Sequence, residues 1–414
     1  MSLARLLPYG RQAIDEDDIA AVAAVLRSDW LTTGPAVQAF EAALARRCDA
    51  AHALACSSGT AALHLACLAL GIGAGHSVIV PAITFAATAN AARLAGAEVV
   101  FADVDPRTGL MGPEQLAEAI ARGSASGRRP SAVFPVDLAG QCGDLEAIAK
   151  IARNANMAVV EDSCHAIGAQ YRRHDGSWHP VGASIDSDIT IFSFHPVKTI
   201  AAGEGGAVVT RQPILADRVA LFRNHGVQRN PQAFLDTEAG FDRNAVNPWY
   251  YEMVELGLNY RLSDINCALG LSQLNKLDRF VAARRDLAER YDLRLADHAP
   301  LLRPIARMPG CRPAWHLYSV LVDFERSGRS RAQVTRALEE AGIRCQVHYI
   351  PVYRHPYYRA RYGEQRLPGA EAYYARTLSL PLFVGMTRDD VERVADALAA
   401  ALGLRADPAQ RHAG

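Results

Sequence analysis

The chain has 414 residues, half of them hydrophobic, and its 44 basic and 44 acidic side chains cancel. A sequence of that length and apolarity buries a large core, most simply as one large unit plus a smaller one, and is no disordered chain. With no net charge and no Lys/Arg block it argues against nucleic acid or an anionic membrane surface as partner, and leaves a small molecule as the expected ligand.

Met1 to Arg11 lacks the long apolar core of a signal peptide, and the most apolar stretch, 61–74, is short and interrupted by His64. A cytoplasmic protein without a membrane span is expected. Eight cysteines stand at 48, 56, 67, 142, 164, 267, 311 and 345 with no C-x-x-C pair, so free thiols and no structural metal are expected. From about residue 50 to 211, short β-rich runs alternate with helical ones, the pattern of a parallel sheet wrapped by helices. Strands are predicted at 52–56, 77–80, 98–101, 131–136, 157–161, 189–193 and 206–210. Helices are predicted at 60–70, 85–96, 113–122 and 144–155, the last with Asp144 as N-cap. Val78-Ile79-Val80 and Met157-Ala158-Val159-Val160 are apolar throughout, as strands buried on both faces should be.

Residues 227–252 are polar and aperiodic, which predicts a long loop near a site or a subunit contact. Helical periodicity then runs from Ser263 to His298. A second α+β unit follows, with strands at 316–323 and 343–348 and helices at 330–341 and 387–402. The expected division is a large unit over 1–262, a connecting helix with a small unit over 263–403, and a disordered tail over 404–414.

Candidate chemistry centres on Lys198, in Phe192-Ser193-Phe194-His195-Pro196-Val197-Lys198 before Gly203-Glu204-Gly205-Gly206. A lysine held among aromatics and glycines is partly desolvated, which lowers its pKa and frees the amine to attack a carbonyl carbon. The aldehyde of pyridoxal phosphate is the obvious candidate. Ser57-Ser58-Gly59-Thr60-Ala61, between a strand and a helix, offers backbone N–H groups and hydroxyls to a phosphate, or is an ordinary N-cap. Glu161-Asp162 ends an apolar strand at the edge where ligands bind in open α/β sheets. Asp162, with Glu161 turned to the other side, is placed to pair with a protonated pyridine nitrogen, though either acid could cap the next helix. His165 could touch the ring or its phenolic oxygen, or simply sit satisfied in the core. Ser193 could donate to the same phosphate, and Phe85 could stack on the ring or pack inside. Each signal is weak alone; the four in order, each at the end of a different strand, are not.

These motifs resemble the sugar-nucleotide aminotransferases of the DegT/DnrJ/EryC/StrS family. The likeness runs through Pro8-Tyr9-Gly10-Arg11-Gln12, Trp30-Leu31-Thr32-Thr33-Gly34-Pro35, Ser58-Gly59-Thr60-Ala61-Ala62-Leu63-His64, Asp162-Ser163-Cys164-His165-Ala166 and Leu256-Gly257-Leu258-Asn259-Tyr260-Arg261, to Gln346-Val347-His348-Tyr349-Ile350-Pro351-Val352. It implies the α/β fold of aspartate aminotransferase (fold type I), with a large mixed seven-stranded sheet and a smaller α+β C-terminal unit. It implies pyridoxal phosphate as cofactor, with Lys198 as the Schiff-base lysine, Asp162 on the pyridinium, and Ser58, Gly59, Thr60 and Ser193 on the phosphate. Phe85 and His165 stay the candidates for the ring's surroundings, and by the resemblance Asn259 would reach the cofactor phosphate of a neighbouring subunit, so a homodimer with shared active sites is implied. Substrate contacts fall at Tyr9, at Asp29, Trp30, Leu31 and Thr32, and at Val347, His348, Tyr349 and Ile350.

Phe-Ser-Phe-His-Pro-Val-Lys, Pro248-Trp249-Tyr250-Tyr251-Glu252-Met253 and Ala314-Trp315-His316-Leu317-Tyr318 look like the pseudaminic acid branch. There glutamate aminates C4 of a UDP-linked 2-acetamido-2,6-dideoxy-4-keto-hexose to give UDP-4-amino-4,6-dideoxy-N-acetyl-β-L-altrosamine. A different 4-keto or 3-keto nucleotide sugar would keep every catalytic residue. A sugar dehydratase of this fold carries His in place of Lys198, and a non-catalytic regulator would be expected to lose Lys198 or Asp162. No basic cluster announces the diphosphate grip; Arg229 and Arg243 are the candidates. The family often has Tyr at Leu258 and Asn at Thr199, and neither departure removes a chemical function.

Overall fold

The structure, a computed structural model, describes residues 6–128 and 130–404. From residue 405 onward the expected tail lies outside them.

The seven predicted strands all form and make one sheet: β1 (His52–Cys56), β2 (Ser77–Pro81), β3 (Glu98–Ala102), β4 (Pro130–Val133), β5 (Ala158–Asp162), β6 (Ile189–Ser193) and β7 (Gly206–Thr210). Their order is β1-β7-β6-β5-β4-β2-β3. β3, β2, β4, β5 and β6 run parallel, whereas β7 is antiparallel to both β6 and β1, so the sheet is mixed. β4 ends at Val133, three residues before the predicted 136.

Seven helices accompany this part of the chain: α1 (Glu16–Leu26), α2 (Pro35–Cys48), α3 (Gly59–Ala69), α4 (Ala86–Leu94), α5 (Pro113–Ala125), α6 (Leu145–Asn154) and α7 (Pro213–Phe222). Proline opens α2, α5 and α7, where its missing N–H costs nothing. Asp144 caps α6 as expected, accepting the Ala147 N–H at 3.0 Å. The apolar stretch at 61–74 is α3, buried along nearly its whole length against the sheet. Among the described residues no helix is long and apolar enough to cross a membrane.

The periodic segment after 262 is two helices, α8 (Asp264–Leu274) and α9 (Leu277–Leu295), separated at Asn275 and Lys276. A three-stranded antiparallel sheet follows, from β8 (Leu302–Pro304), β9 (Tyr318–Val322) and β10 (Thr377–Leu380), backed by α10 (Arg331–Glu340) and α11 (Arg388–Ala401). The strand predicted at 343–348 does not form. Gln346 exchanges backbone bonds with Ser379, but the next N–H, of Val347, is taken by the Gln346 side chain, and the chain leaves the sheet edge. The predicted loop at 227–252 is a string of short pieces, including a hairpin of Phe241–Asp242 and Ala245–Val246, closed at its base where Val227 pairs with Met253.

Candidate active site

Strand register assembles the first part of the site. Gly206, the first residue of β7, lies opposite both Cys56 at the end of β1 and Ser193 at the end of β6. Two residues past Cys56, Ser58 is extended and caps α3 by accepting the Ala61 N–H at 3.1 Å. The strand ends then crowd the helix start. A Cβ on Gly206 would sit 2.3 Å from the Ser58 carbonyl oxygen, and one on Gly59 would sit 2.9 Å from the Ser193 Cβ. Glycine is required at both places by close approach. The Gly59 and Thr60 N–H groups, in the first helical turn, have no intrahelical acceptor, and the Thr60 and Ser193 hydroxyls lie beside them. This is an anion cradle with the donors a phosphate monoester needs.

Asp162 ends β5, is 5% exposed, and is already oriented. Its Oδ2 accepts the Thr88 hydroxyl at 2.8 Å and its Oδ1 the Cys164 N–H at 3.3 Å, while Thr88 itself bonds Thr84 at 2.8 Å. A carboxylate with two bonds keeps lone pairs for a third donor. Glu161 points the other way, to the Thr190 hydroxyl, as expected for adjacent strand residues. Neither Thr84 nor Thr88 is legible as a site residue, although their i, i+4 spacing just after β2 is a signal that could have found them.

The chain has three lysines, and they have different surroundings. Lys150 lies exposed on α6, and Lys276 is ion-paired with Asp18 at 2.9 Å and with Asp15. Lys198 closes a turn, its N–H donating to the His195 carbonyl at 2.8 Å, and is half-buried. Burial lowers its ammonium pKa, and the neighbouring Asp162 carboxylate opposes that shift.

A polar wall stands across from it. His165 is buried, and its Nδ1 accepts the Ala139 N–H at 3.3 Å while Nε2 lies 3.1 Å from the Tyr349 phenol. An amide N–H only donates, so the ring proton of the neutral imidazole belongs on Nε2, directed at the Tyr349 oxygen. Burial, and then the Lys198 charge, hold His165 well below the usual histidine range. His348 is pushed down to about 3 by burial first and Lys198 second, and its Nδ1 bonds the Ser379 hydroxyl at 2.8 Å. Tyr9 packs beside His348 with ring centroids 5.6 Å apart, and Gly10 approaches Val197, next to Lys198. Phe85 is 60% exposed at the start of α4, 6.0 Å from the Tyr349 ring, so it is no core aromatic. Val347 and Ile350 flank this wall, half-buried and exposed.

Three expected groups lie apart from these contacts. Asp29 to Thr32 is an exposed segment moored elsewhere: Thr32 bridges Ser263, and the Leu31 carbonyl accepts the Asp264 N–H at 3.0 Å. Asp264, buried, accepts the Gly34 and Ala36 N–H groups at 2.7 and 2.9 Å, fixing the start of α2. The Asn259 side chain is exposed, though its neighbour Tyr260 accepts the Ser57 N–H at 2.8 Å and so ties this motif to the cradle. Arg229 stacks on Tyr251, and Arg243 turns the hairpin with φ 57°.

The profile of the DegT/DnrJ/EryC1/StrS aminotransferase family matches residues 12–399. The chain belongs to that family. It is similar to the spore coat polysaccharide biosynthesis protein SpsC of Bacillus subtilis (strain 168), 39% identical over 396 residues covering 95% of this chain and 96% of SpsC. Among solved structures it is similar to Helicobacter pylori PseC, an aminotransferase involved in the biosynthesis of pseudoaminic acid. There the TM-score is 0.84 at 28% identity, over 96% of this chain and all of PseC. Spr1654 of Streptococcus pneumoniae, solved in PLP and PMP forms, gives a TM-score of 0.83 at 26% identity, over 96% of this chain and 99% of Spr1654. The protein is a sugar aminotransferase of fold type I that uses pyridoxal phosphate. The residues present fit that cofactor: an anion cradle, a fixed carboxylate with spare lone pairs, and a desolvated amine lie at one end of the sheet.

Proposed function

We propose that this DegT-family aminotransferase moves the amino group of glutamate to C4 of a UDP-linked 2-acetamido-2,6-dideoxy-4-keto-hexose. The product is UDP-4-amino-4,6-dideoxy-N-acetyl-β-L-altrosamine, on a cytoplasmic route to pseudaminic acid. What carries this reading is the likeness to PseC along nearly the whole chain, joined to the Tyr9, His348 and Tyr349 wall beside Lys198. The site would lie between the large unit, 1–262, and the small unit, 263–403.

In this proposal Lys198 holds the cofactor's aldehyde carbon through Nζ, and Gly59, Thr60, Ser58 and Ser193 hold its phosphate. Asp162 holds the pyridine N–H with the lone pairs that Thr88 and Cys164 leave free. When bound, pyridoxal phosphate supplies a carbonyl carbon for the amine and a conjugated ring that spreads the electron pair left at the carbon losing its proton. The Lys198 amine would carry the proton from the glutamate Cα to the cofactor carbon it otherwise holds, and in the second half-reaction from that carbon to C4 of the sugar. Desolvation favours this double duty, because a neutral amine both accepts and returns a proton. His165, neutral and with its Nε2 proton committed to Tyr349, orients that phenol and leaves the Tyr349 proton for donation into the site.

Asn259 and the 227–256 segment are assigned to a second copy of the chain. Leu256 is 84% exposed and Trp249 73%, and Met253 and Leu235 are exposed too, apolar side chains that a second copy would cover. Asn259 would reach the neighbouring subunit's cofactor phosphate. Trp30 and Leu31, exposed in the 29–32 segment, would offer apolar faces to the deoxysugar.

A second reading has its own support: the higher identity is to SpsC, a polysaccharide biosynthesis protein, which favours another keto sugar in the same catalytic frame. A panel of 4-keto UDP- and dTDP-sugars with glutamate, followed by 2-oxoglutarate release, separates the two. The UDP-linked 2-acetamido-2,6-dideoxy-4-keto-hexose should turn over best. Preference for a dTDP-sugar or a sugar without the 2-acetamido group would replace the first reading with the second.

A further inference from the structure

On the side of β5 opposite Asp162 the molecule buries two carboxyl groups that the transamination leaves unused. Glu161 is 1% exposed and Asp137 5%. Glu161 Oε2 accepts the Thr190 hydroxyl at 2.8 Å and Asp137 Oδ2 accepts the Ser163 hydroxyl at 2.8 Å, and the two buried carboxyl groups are close enough to act on each other directly. Ionised carboxylates only accept, so neither could donate to the other and two buried side by side would repel. Glu161 Oε1 is buried without a donor among the described residues, and no ion pair to Asp137 or Glu161 is recorded among them. One proton between the groups removes both difficulties, turning repulsion into an O–H···O⁻ bond. The other titratable groups facing the pair are Asp186, answered by Arg173 at 3.0 Å, the Tyr171 phenol, and the thiols of Cys48, Cys142 and Cys311.

The pair brackets the part of the chain that presents the cofactor ligands. The Asp137 N–H donates to the Asp162 carbonyl at 3.1 Å, Val136 bridges Asp162, and Glu161 precedes Asp162 in β5. Ser163, tethered to Asp137, opens the turn that carries Cys164 and His165. We propose that Asp137 and Glu161 share a single proton and serve as a positioning pair for the Asp162–His165 turn. The consequence for cofactor binding rests on the role proposed above for Asp162; the shared proton does not.

Burial pushes both acids up, Asp137 well above the carboxylate range and Glu161 to about 7. An acid raised in the folded state contributes stability that is fully present below its unfolded pKa and is lost as pH rises through the folded one. Loss of the shared proton near and above neutrality therefore puts two buried negative charges against each other beneath Asp162.

Melting temperatures of the holoenzyme and pyridoxal phosphate affinities from about pH 6 to 9 test this in the wild type, Glu161→Gln and Asp137→Asn. Either amide supplies a permanent donor in place of the proton, and the second variant stands in should the first fail to fold. The expected result is a wild-type melting temperature that falls across neutrality while the amide variants stay flat. The wild-type to variant ratio of Kd for pyridoxal phosphate should grow with pH, at most about tenfold per unit for one proton. Parallel melting profiles overturn the shared proton. Flat variant profiles with a pH-independent Kd ratio overturn the positioning role. Asp162→Asn, measured alongside, reports separately on Asp162: an unchanged cofactor spectrum would sink that assignment while leaving the melting comparison to decide the pair.

Discussion

At the scale of single residues, the site is a set of groups whose protonation is fixed by burial and by bonds to the backbone. Asp162 is held by Thr88 and by the Cys164 N–H, so replacing it with asparagine keeps shape and removes charge. Asp162→Asn should retain cofactor yet lose turnover by roughly 10²–10³-fold, the scale of removing one preorganised electrostatic partner. Steady-state kinetics at saturating cofactor checks it, and near-normal kcat would reject the role. Lys198 and Asp162 could be nominated from the sequence because each stands in a setting whose residue types match a chemical need, whereas His165 read equally as a core residue and Tyr349 was nominated through the family resemblance. The partners that orient them were not. Thr88 lies 74 residues from Asp162, and the His165 tautomer depends on the N–H of Ala139, which has φ 61°. A sequence does not encode which backbone group will face a ring across such distances.

At the scale of elements, strands 52–56, 189–193 and 206–210 match the sequence expectation at both ends, because each is a short apolar run closed by turn residues. Residues 343–348 carry a similar pattern and fail, since the Gln346 side chain takes the Val347 N–H that a ladder would need. The break between α8 and α9 was also invisible: periodicity continues through it while Gln273 and Lys276 turn to Asp18. Asp264 is the element-scale residue with the widest reach, joining the start of α8 to the start of α2 and to the 29–34 segment. Asp264→Ala should cost about 1–2 kcal/mol, the upper range for a lost helix cap. It should also raise KM for the sugar more than KM for glutamate. Denaturation and two-substrate kinetics read these out, and an unchanged KM for the sugar would detach the 29–32 segment from substrate binding.

At the scale of the whole molecule, the alternation of strands and helices announced a large α/β sheet, but not the reversal of β7, which is set by pairing to β6 and β1 and has no local signature. That reversal brings Gly206 against the Ser58 carbonyl and so builds the cradle. The exposed apolar side chains of Leu256, Trp249 and Met253 belong to this scale too. With a chain mass of 44.7 kDa, light scattering should give a dimer of twice that mass. Leu256→Asp should shift it toward monomer with weakened cofactor retention, and a monomeric wild type with full activity would contradict the shared site.

The most direct measurement uses the three lysines of the chain. Borohydride reduction of the holoenzyme followed by peptide mass spectrometry should place a pyridoxyl group on Lys198 alone, with none on Lys150 or Lys276 and no label in Lys198→Ala. Label on either of the other two lysines, or an unlabelled Lys198 in active enzyme, would contradict the account.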